Sequence, residues 1–182
     1  MKMHHLHIFL SSPGDVSRER QLAREVIDQI QSERLYQDRL KLDIVAWDKP
    51  RAGTAMPAHL EPQEAIDRGL KKPSQCDIAI VIFWARMGTP LSVKHLKPDG
   101  SRYRSGTEYE FLDALNAARN NNKPDVLVYR RKKPPDVNLA DPKRKEKEKQ
   151  WDLVEEFFAE FRNPDGSYRS YYQKYDEPSD FK

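Results

Sequence analysis

The chain has one cysteine, Cys76, seven glycines and no long apolar run in 182 residues. A single thiol excludes an intrachain disulfide and a cysteine-built zinc site. Cys76 stands at the edge of an apolar stretch, where a thiol packs as a small hydrophobe. No Gly-x-Gly-x-x-Gly follows the first strand-like run, which argues against an ordinary dinucleotide fold. No Gly-x-x-x-x-Gly-Lys-Ser/Thr occurs either, which argues against a P-loop ATPase within this segment. The Gly-x-Ser-x-Gly elbow of serine hydrolases is also missing. No stretch approaches the roughly 18 apolar residues of a membrane span. Met1–His7 is polar and the apolar run after it is too short for a secretory leader. These absences lead us to expect a cytoplasmic chain in a reducing setting, with no membrane partner.

A strong net charge is lacking too. There are 32 Lys/Arg against 29 Asp/Glu, a net of +3, with 34% of residues charged and 37% hydrophobic. Such a chain makes one domain with a modest core and a heavily charged surface. Residues 130–149 hold nine Lys/Arg against four Asp/Glu. A solvated loop and helix face accounts for that run. A nucleic-acid or anionic-lipid patch is the alternative, but the small net charge argues against a nucleic-acid partner.

What is present reads as alternating strands and helices. His5–Leu10 is a first strand, closed by Ser11-Ser12-Pro13-Gly14-Asp15. Val16, Leu22, Ala23, Val26, Ile27 and Ile30 then recur at helical spacing. Ser12 or Asp15 is a candidate cap for that helix. Leu42–Trp47 is a second strand, Lys49–Pro57 a Pro/Gly-containing loop and Glu61–Leu70 a short helix. Asp77–Trp84 is apolar nearly throughout, as a central parallel strand covered on both faces must be. A loop from Arg86 to Arg104 leads to a helix opening at Ser105. Asp125–Tyr129 is a fourth strand, Lys143–Phe161 a helix with an apolar stripe, and Ser170–Tyr175 a fifth strand. The order predicts an α/β fold, a doubly wound and mostly parallel five-stranded sheet with helices on both faces. The domain is expected over residues 1–176. Residues 177–182 read as the start of a helix or linker, so the chain is expected to continue into a C-terminal region.

Three clusters could carry chemistry. His4, His5 and His7 lie together, and alternation puts His5 and His7 on one strand face. No carboxylate or cysteine joins them locally, so no metal site is expected. The loop Ser11-Ser12-Pro13-Gly14 enters a helix and could present backbone N–H groups to a phosphate, or simply connect strand to helix. The third is Ser105-Gly106-Thr107-Glu108-Tyr109-Glu110-Phe111, a helix start just after the central strand. Ser/Thr-x-x-Glu is a capping-box pattern, and both Ser105…Glu108 and Thr107…Glu110 satisfy it. If Ser105 is the cap, Glu108 closes the box and Glu110 is free for a cleft.

Four blocks match a known family in order: Phe9 to Asp15; Pro62-Gln63 through Ile66; Cys76-Asp77-Ile78 to Arg86-Met87-Gly88-Thr89-Pro90; and Ser105-Gly106-Thr107 to Glu110. Over roughly residues 6–175 the chain resembles the TIR-like domain found at the N-termini of NACHT/STAND-type ATPases. That group is similar in turn to TIR domains and nucleoside 2-deoxyribosyltransferases. The resemblance implies a flavodoxin-like fold with its cleft at the C-terminal strand ends. It also implies an effector role in defence or signalling, with a C-terminal ATPase or repeat region and self-association through the parent protein. In the transferases the glutamate of Gly-Thr-x-x-Glu attacks the sugar carbon of an N-glycosidic bond, and in catalytic TIR domains a related glutamate supports NAD cleavage. By motif position that residue is Glu110, with Glu108 as the other candidate. The Trp-Cys pair that TIR families carry ahead of the glutamate is missing here.

The chemistry is self-consistent. Breaking a ribosyl C–N bond makes an oxocarbenium-like centre, which one nearby carboxylate can stabilise or trap. Nicotinamide leaves already activated, so no strong general acid is required. NAD would be the substrate, and no cofactor is implied. The candidate nucleotide-binding residues are Ser11, Ser12, Gly14, Asp77, Trp84, Arg86 and Thr107, with Arg86 as a bidentate fork and Trp84 or Trp47 stacking on a base. Each also has a structural alternative: a plain turn, a strand-start carboxylate, a surface ion pair, a core or rim aromatic. The alternative function is a non-catalytic TIR-like module for protein–protein interaction and oligomerisation.

Overall fold

Ile78-Ala79-Ile80-Val81-Ile82-Phe83 has no polar face, so the strand it forms must be covered on both sides. It is β3 (Ile78–Phe83), the centre of a five-stranded sheet ordered β2-β1-β3-β4-β5. The computed structural model describes residues 3–48 and 59–181. The other strands are β1 (His4–Ser11), β2 (Leu40–Val45), β4 (Asp125–Arg131) and β5 (Gln173–Tyr175). Every neighbouring pair is parallel. The helices are α1 (Ser17–Ser32), α2 (Pro62–Gly69), α3 (Gly106–Asn121) and α4 (Arg144–Ala159). The architecture is α/β, all-parallel and consistent with a flavodoxin-like doubly wound fold.

Alternation along β3 sends its residues into two cores. Val81 and Phe83 pack against Phe111 of α3 and Val154, Phe157 and Phe158 of α4. The rings of Phe83 and Phe157 are 4.9 Å apart, and those of Phe111 and Phe161 stack at 5.5 Å. On the opposite face Ile82 packs with Leu10, Val16 and Ala23 of the β1–α1 unit. The apolar stripe of α4 is what commits it to the first face.

The boundaries differ from the expected ones in instructive places. The β2 strand begins and ends two residues early, because its pairing with β1 runs from His4↔Leu40 to Phe9↔Val45. Trp47 is thereby left beyond the sheet and 45% exposed. The fifth strand shrinks to three residues, which are all that pair with β4. Neither Ser12 nor Asp15 caps α1. Val16 holds the cap position without a side-chain bond, and the Asp15 carboxyl accepts the Ala85 N–H at 2.9 Å. Near the end, Pro178–Phe181 forms a 3₁₀ turn, and the Phe181 ring lies 4.8 Å from Tyr129 and 5.5 Å from Tyr175. The loop expected at Lys49–Pro57 lies outside the described residues.

Phe83 is fully buried between the α3 and α4 aromatics. Phe83→Ala should therefore cost about 3–5 kcal/mol in urea unfolding. Leu139→Ala, at a residue 79% exposed, should stay within about 0.5 kcal/mol.

Candidate active site

In an open parallel sheet, ligands bind beyond the C-terminal strand ends, where the strand order reverses. Here that point lies between β1 and β3. A cleft of about 510 Å³ opens there, walled by Ser12-Pro13-Gly14 after β1, Arg86 and Gly88–Leu91 after β3, Pro62-Gln63 of α2 and the first turn of α3. Its size is that of a small-molecule site. Trp47, Thr107 and Glu110 also line it.

Glu110 is 6% exposed. The Ser11 hydroxyl donates to its Oε2, tying α3 to the end of β1. Burial pushes the carboxyl up to about 7, with the Asp67 carboxylate adding to the rise. Hydrogen bonding from Ser11 and Gln63 and the positive charge of Arg20 work the other way. Gln63 is itself buried, and its Nε2 donates to Asp67 Oδ1 at 3.1 Å. The Tyr109 hydroxyl donates to the other oxygen of Asp67 at 2.9 Å. Gly106 permits this packing, since a Cβ there would stand 2.7 Å from Gln63 Oε1.

Glu108, two residues away, has a different fate. It is 1% exposed and takes Lys97 Nζ at 2.9 Å and Arg104 Nε at 2.8 Å on Oε1, with the Arg104 N–H at 2.5 Å on Oε2. Burial alone would raise this carboxyl; the bonds from Arg104 and Lys97 outweigh it and hold Glu108 below the usual range. Ser105 is the N-cap, and its Oγ accepts the Glu108 N–H at 3.1 Å. The box is closed one residue further out than expected: the Glu108 carboxylate takes the Arg104 N–H, not that of Ser105. Glu108 is the anchor of the loop that walls the cleft and does not line the cleft itself.

The loop after β1 is held from beneath by Arg20, 4% exposed. Its Nη1 donates to Ser12 Oγ at 2.9 Å and to the Leu10 carbonyl at 3.3 Å, and its Nε donates to Asp48 Oδ2 at 2.8 Å. Ser12 Oγ donates in turn to the Pro13 carbonyl at 2.9 Å. The hydroxyls of Ser11 and Ser12 are therefore already engaged, and the loop is preshaped.

Of the residues singled out in the sequence, Ser12, Gly14, Arg86, Thr107, Trp47 and Glu110 meet at the cleft, with Ser11 bonded to Glu110. Asp77 does not. It precedes β3, so it lies at the N-terminal end of the sheet, where its carboxyl accepts the His7 N–H at 2.9 Å and Lys123 Nζ at 3.0 Å. Trp84 follows β3 but falls on the α1 face, where its Nε1 donates to the Lys133 carbonyl at 2.8 Å and Arg131 stacks 4.1 Å from the ring centre. It lines a neighbouring cavity of about 500 Å³, which Arg86 shares. Sequence reasoning missed Gln63, Arg20 and Asp48 as site residues. The only signal for Gln63 was its place in the Pro62-Gln63 block.

Two variants separate the two carboxyls. The raised value of Glu110 means that the folded chain binds its proton more tightly than the unfolded chain does. That contribution is fully present below about 4.5 and is lost as pH rises through about 7. Urea unfolding should show Glu110→Gln equal to wild type near pH 4 and more stable above pH 8, by an amount on the order of 3 kcal/mol. Glu108→Ala leaves Lys97 and Arg104 facing a void, and should cost about 3–5 kcal/mol at pH 7 in the same assay. Comparison with known proteins adds no relative: no family model, curated protein or solved structure matches the chain.

Proposed function

We propose that the chain is a TIR-like effector domain that cleaves the N-glycosidic bond of NAD or a related nucleotide, with Glu110 at the anomeric carbon. The observation that carries this reading is one buried carboxyl lining a cleft of about 510 Å³ at the switch point, poised at about 7. Perturbed carboxyls in such places are where acid, base and nucleophile roles are found.

The physics favours a cationic N-ribosyl substrate. A pyridinium ring brought against Glu110 stabilises the ionised carboxylate and draws its proton off. As the C–N bond breaks, its electron pair leaves with neutral nicotinamide and positive charge passes to the anomeric carbon. The carboxylate stabilises that charge or bonds to it. Water then supplies the hydroxyl, and its remaining proton goes to solvent. The Ser11 hydroxyl holds the carboxylate in one orientation. Arg86, exposed at the rim, and the Gly14 N–H in the loop leading to α1 would bind the diphosphate in this reading.

One observation favours an association module instead. Beside the short edge strand β5 a groove of about 390 Å³ leaves Leu127 43% and Tyr171 75% exposed, and open sheet edges with apolar neighbours invite pairing.

Nicotinamide release from NAD, followed by chromatography on the chain fused to a dimerising partner, decides between the two. Wild type should consume NAD, and Glu110→Gln should slow it by about 100-fold or more. If both leave NAD intact while sedimentation of the unfused chain shows self-association that Tyr171→Ser abolishes, the association reading stands and the enzyme reading falls.

A further inference from the structure

The parallel register of β1 and β2 does something the sequence concealed. It sets His7 opposite Asp43. Residues at matching positions share a face of the sheet, so Asp43 joins His5 and His7. One ligand atom from each of the three lies within 4.8 Å of the others. His5 Nε2 is 2.6 Å from Asp43 Oδ2, and the two imidazole rings are 4.5 Å apart. This is the carboxylate that the local sequence around the histidines lacks.

The surroundings are those of a ligand set. His7 turns Nδ1 toward the Asp77 carboxylate, 3.8 Å away, and Nε2 outward. At that distance the carboxylate attracts the imidazole without a hydrogen bond, and a shortened contact would make it the second partner that metal-bound imidazoles usually have. Asp77 is itself held by the His7 N–H and Lys123. On the outward side, cations already occupy the lone pairs: Lys71 Nζ sits 2.9 Å from His7 Nε2, and Lys41 Nζ 3.5 Å from Asp43 Oδ2. The site attracts positive charge, and it does so with exposed, flexible ammonium groups that a bound ion can displace.

We infer that His5, His7 and Asp43 form a binding site for a divalent first-row transition ion, with Zn²⁺ as the simplest occupant. Two imidazoles and one carboxylate suit this class, and three protein ligands leave one or more positions open to water or an anion. Ligand atoms around one Zn²⁺ stand roughly 3.3 Å apart. The present spread of up to 4.8 Å contracts to that on binding, and His5 is the exposed member of the three. The site lies at the N-terminal edge of the sheet, away from the Glu110 cleft. It bridges β1 to the edge strand β2, so the bound ion clamps that edge and stands independently of any activity at Glu110.

Calorimetric titration of Zn²⁺ into the 182-residue chain tests this, with thermal unfolding in Zn²⁺ against EDTA as a second readout. One equivalent should bind and raise Tm. His5→Ala and Asp43→Ala should each weaken binding by about tenfold or more. His4→Ala, on the opposite face, should change it less than about twofold. Lys71→Ala should tighten binding severalfold, because it removes the competing cation. The His5 and Asp43 side chains lie at the surface, so circular dichroism should match wild type. Absence of saturable binding overturns the inference. So does a loss in His4→Ala equal to that in His5→Ala, or a Lys71→Ala variant that binds no better.

Discussion

Two carboxyls, Glu108 and Glu110, are taken out of water within one turn of the start of α3, and the cleft depends on their being treated differently. Glu108 receives the ammonium of Lys97 and the guanidinium of Arg104 and stays ionised. Glu110 receives the neutral donors Ser11 and Gln63, with Arg20 acting only at a distance, and is pushed up to about 7. Desolvation raises both; the nearby full cations reverse the effect for one alone. One carboxylate thus pins the loop after β3, and its neighbour is left poised.

The rest of the site follows from those anchors and from the chain's direction. Parallel strands place the residues following β1 and β3 at one end of the sheet, and α3 starts beside them. Arg20 reaches from α1 to Leu10, Ser12 and Asp48, so the loop after β1 is fixed to the chain leaving β2. The first-turn glycine, Gly106, lets Gln63 close against the helix start. The cleft is therefore built before any ligand arrives, as a site that relies on positioned charge requires.

Much of this was legible in the chain. The unbroken apolar run of β3, the alternation of strand and helix signals and the Ser105 cap all follow from local pattern. Polarity alone also shows that Asp77, which precedes β3, belongs to the end of the sheet away from the cleft; its place in a motif block obscured that. Trp84 is at the correct end, but strand alternation turns it to the α1 face with Ile80 and Ile82. Long-range partners were not legible. Ser11 and Glu110 are 99 residues apart in the chain, and Asp43 meets the histidines only through the β1–β2 register. Spacing signals faces within one element; it says nothing of which elements lie side by side.

The central claim is that Glu110 is a buried carboxyl shared between its two protonation states at neutral pH. Direct titration of its side-chain carboxyl, followed by carbon-13 NMR and assigned with Glu110→Gln, tests that claim without assuming a substrate. The midpoint should fall near 7, where burial places it. A midpoint near 4.5, that of an ordinary solvated glutamate, would contradict it.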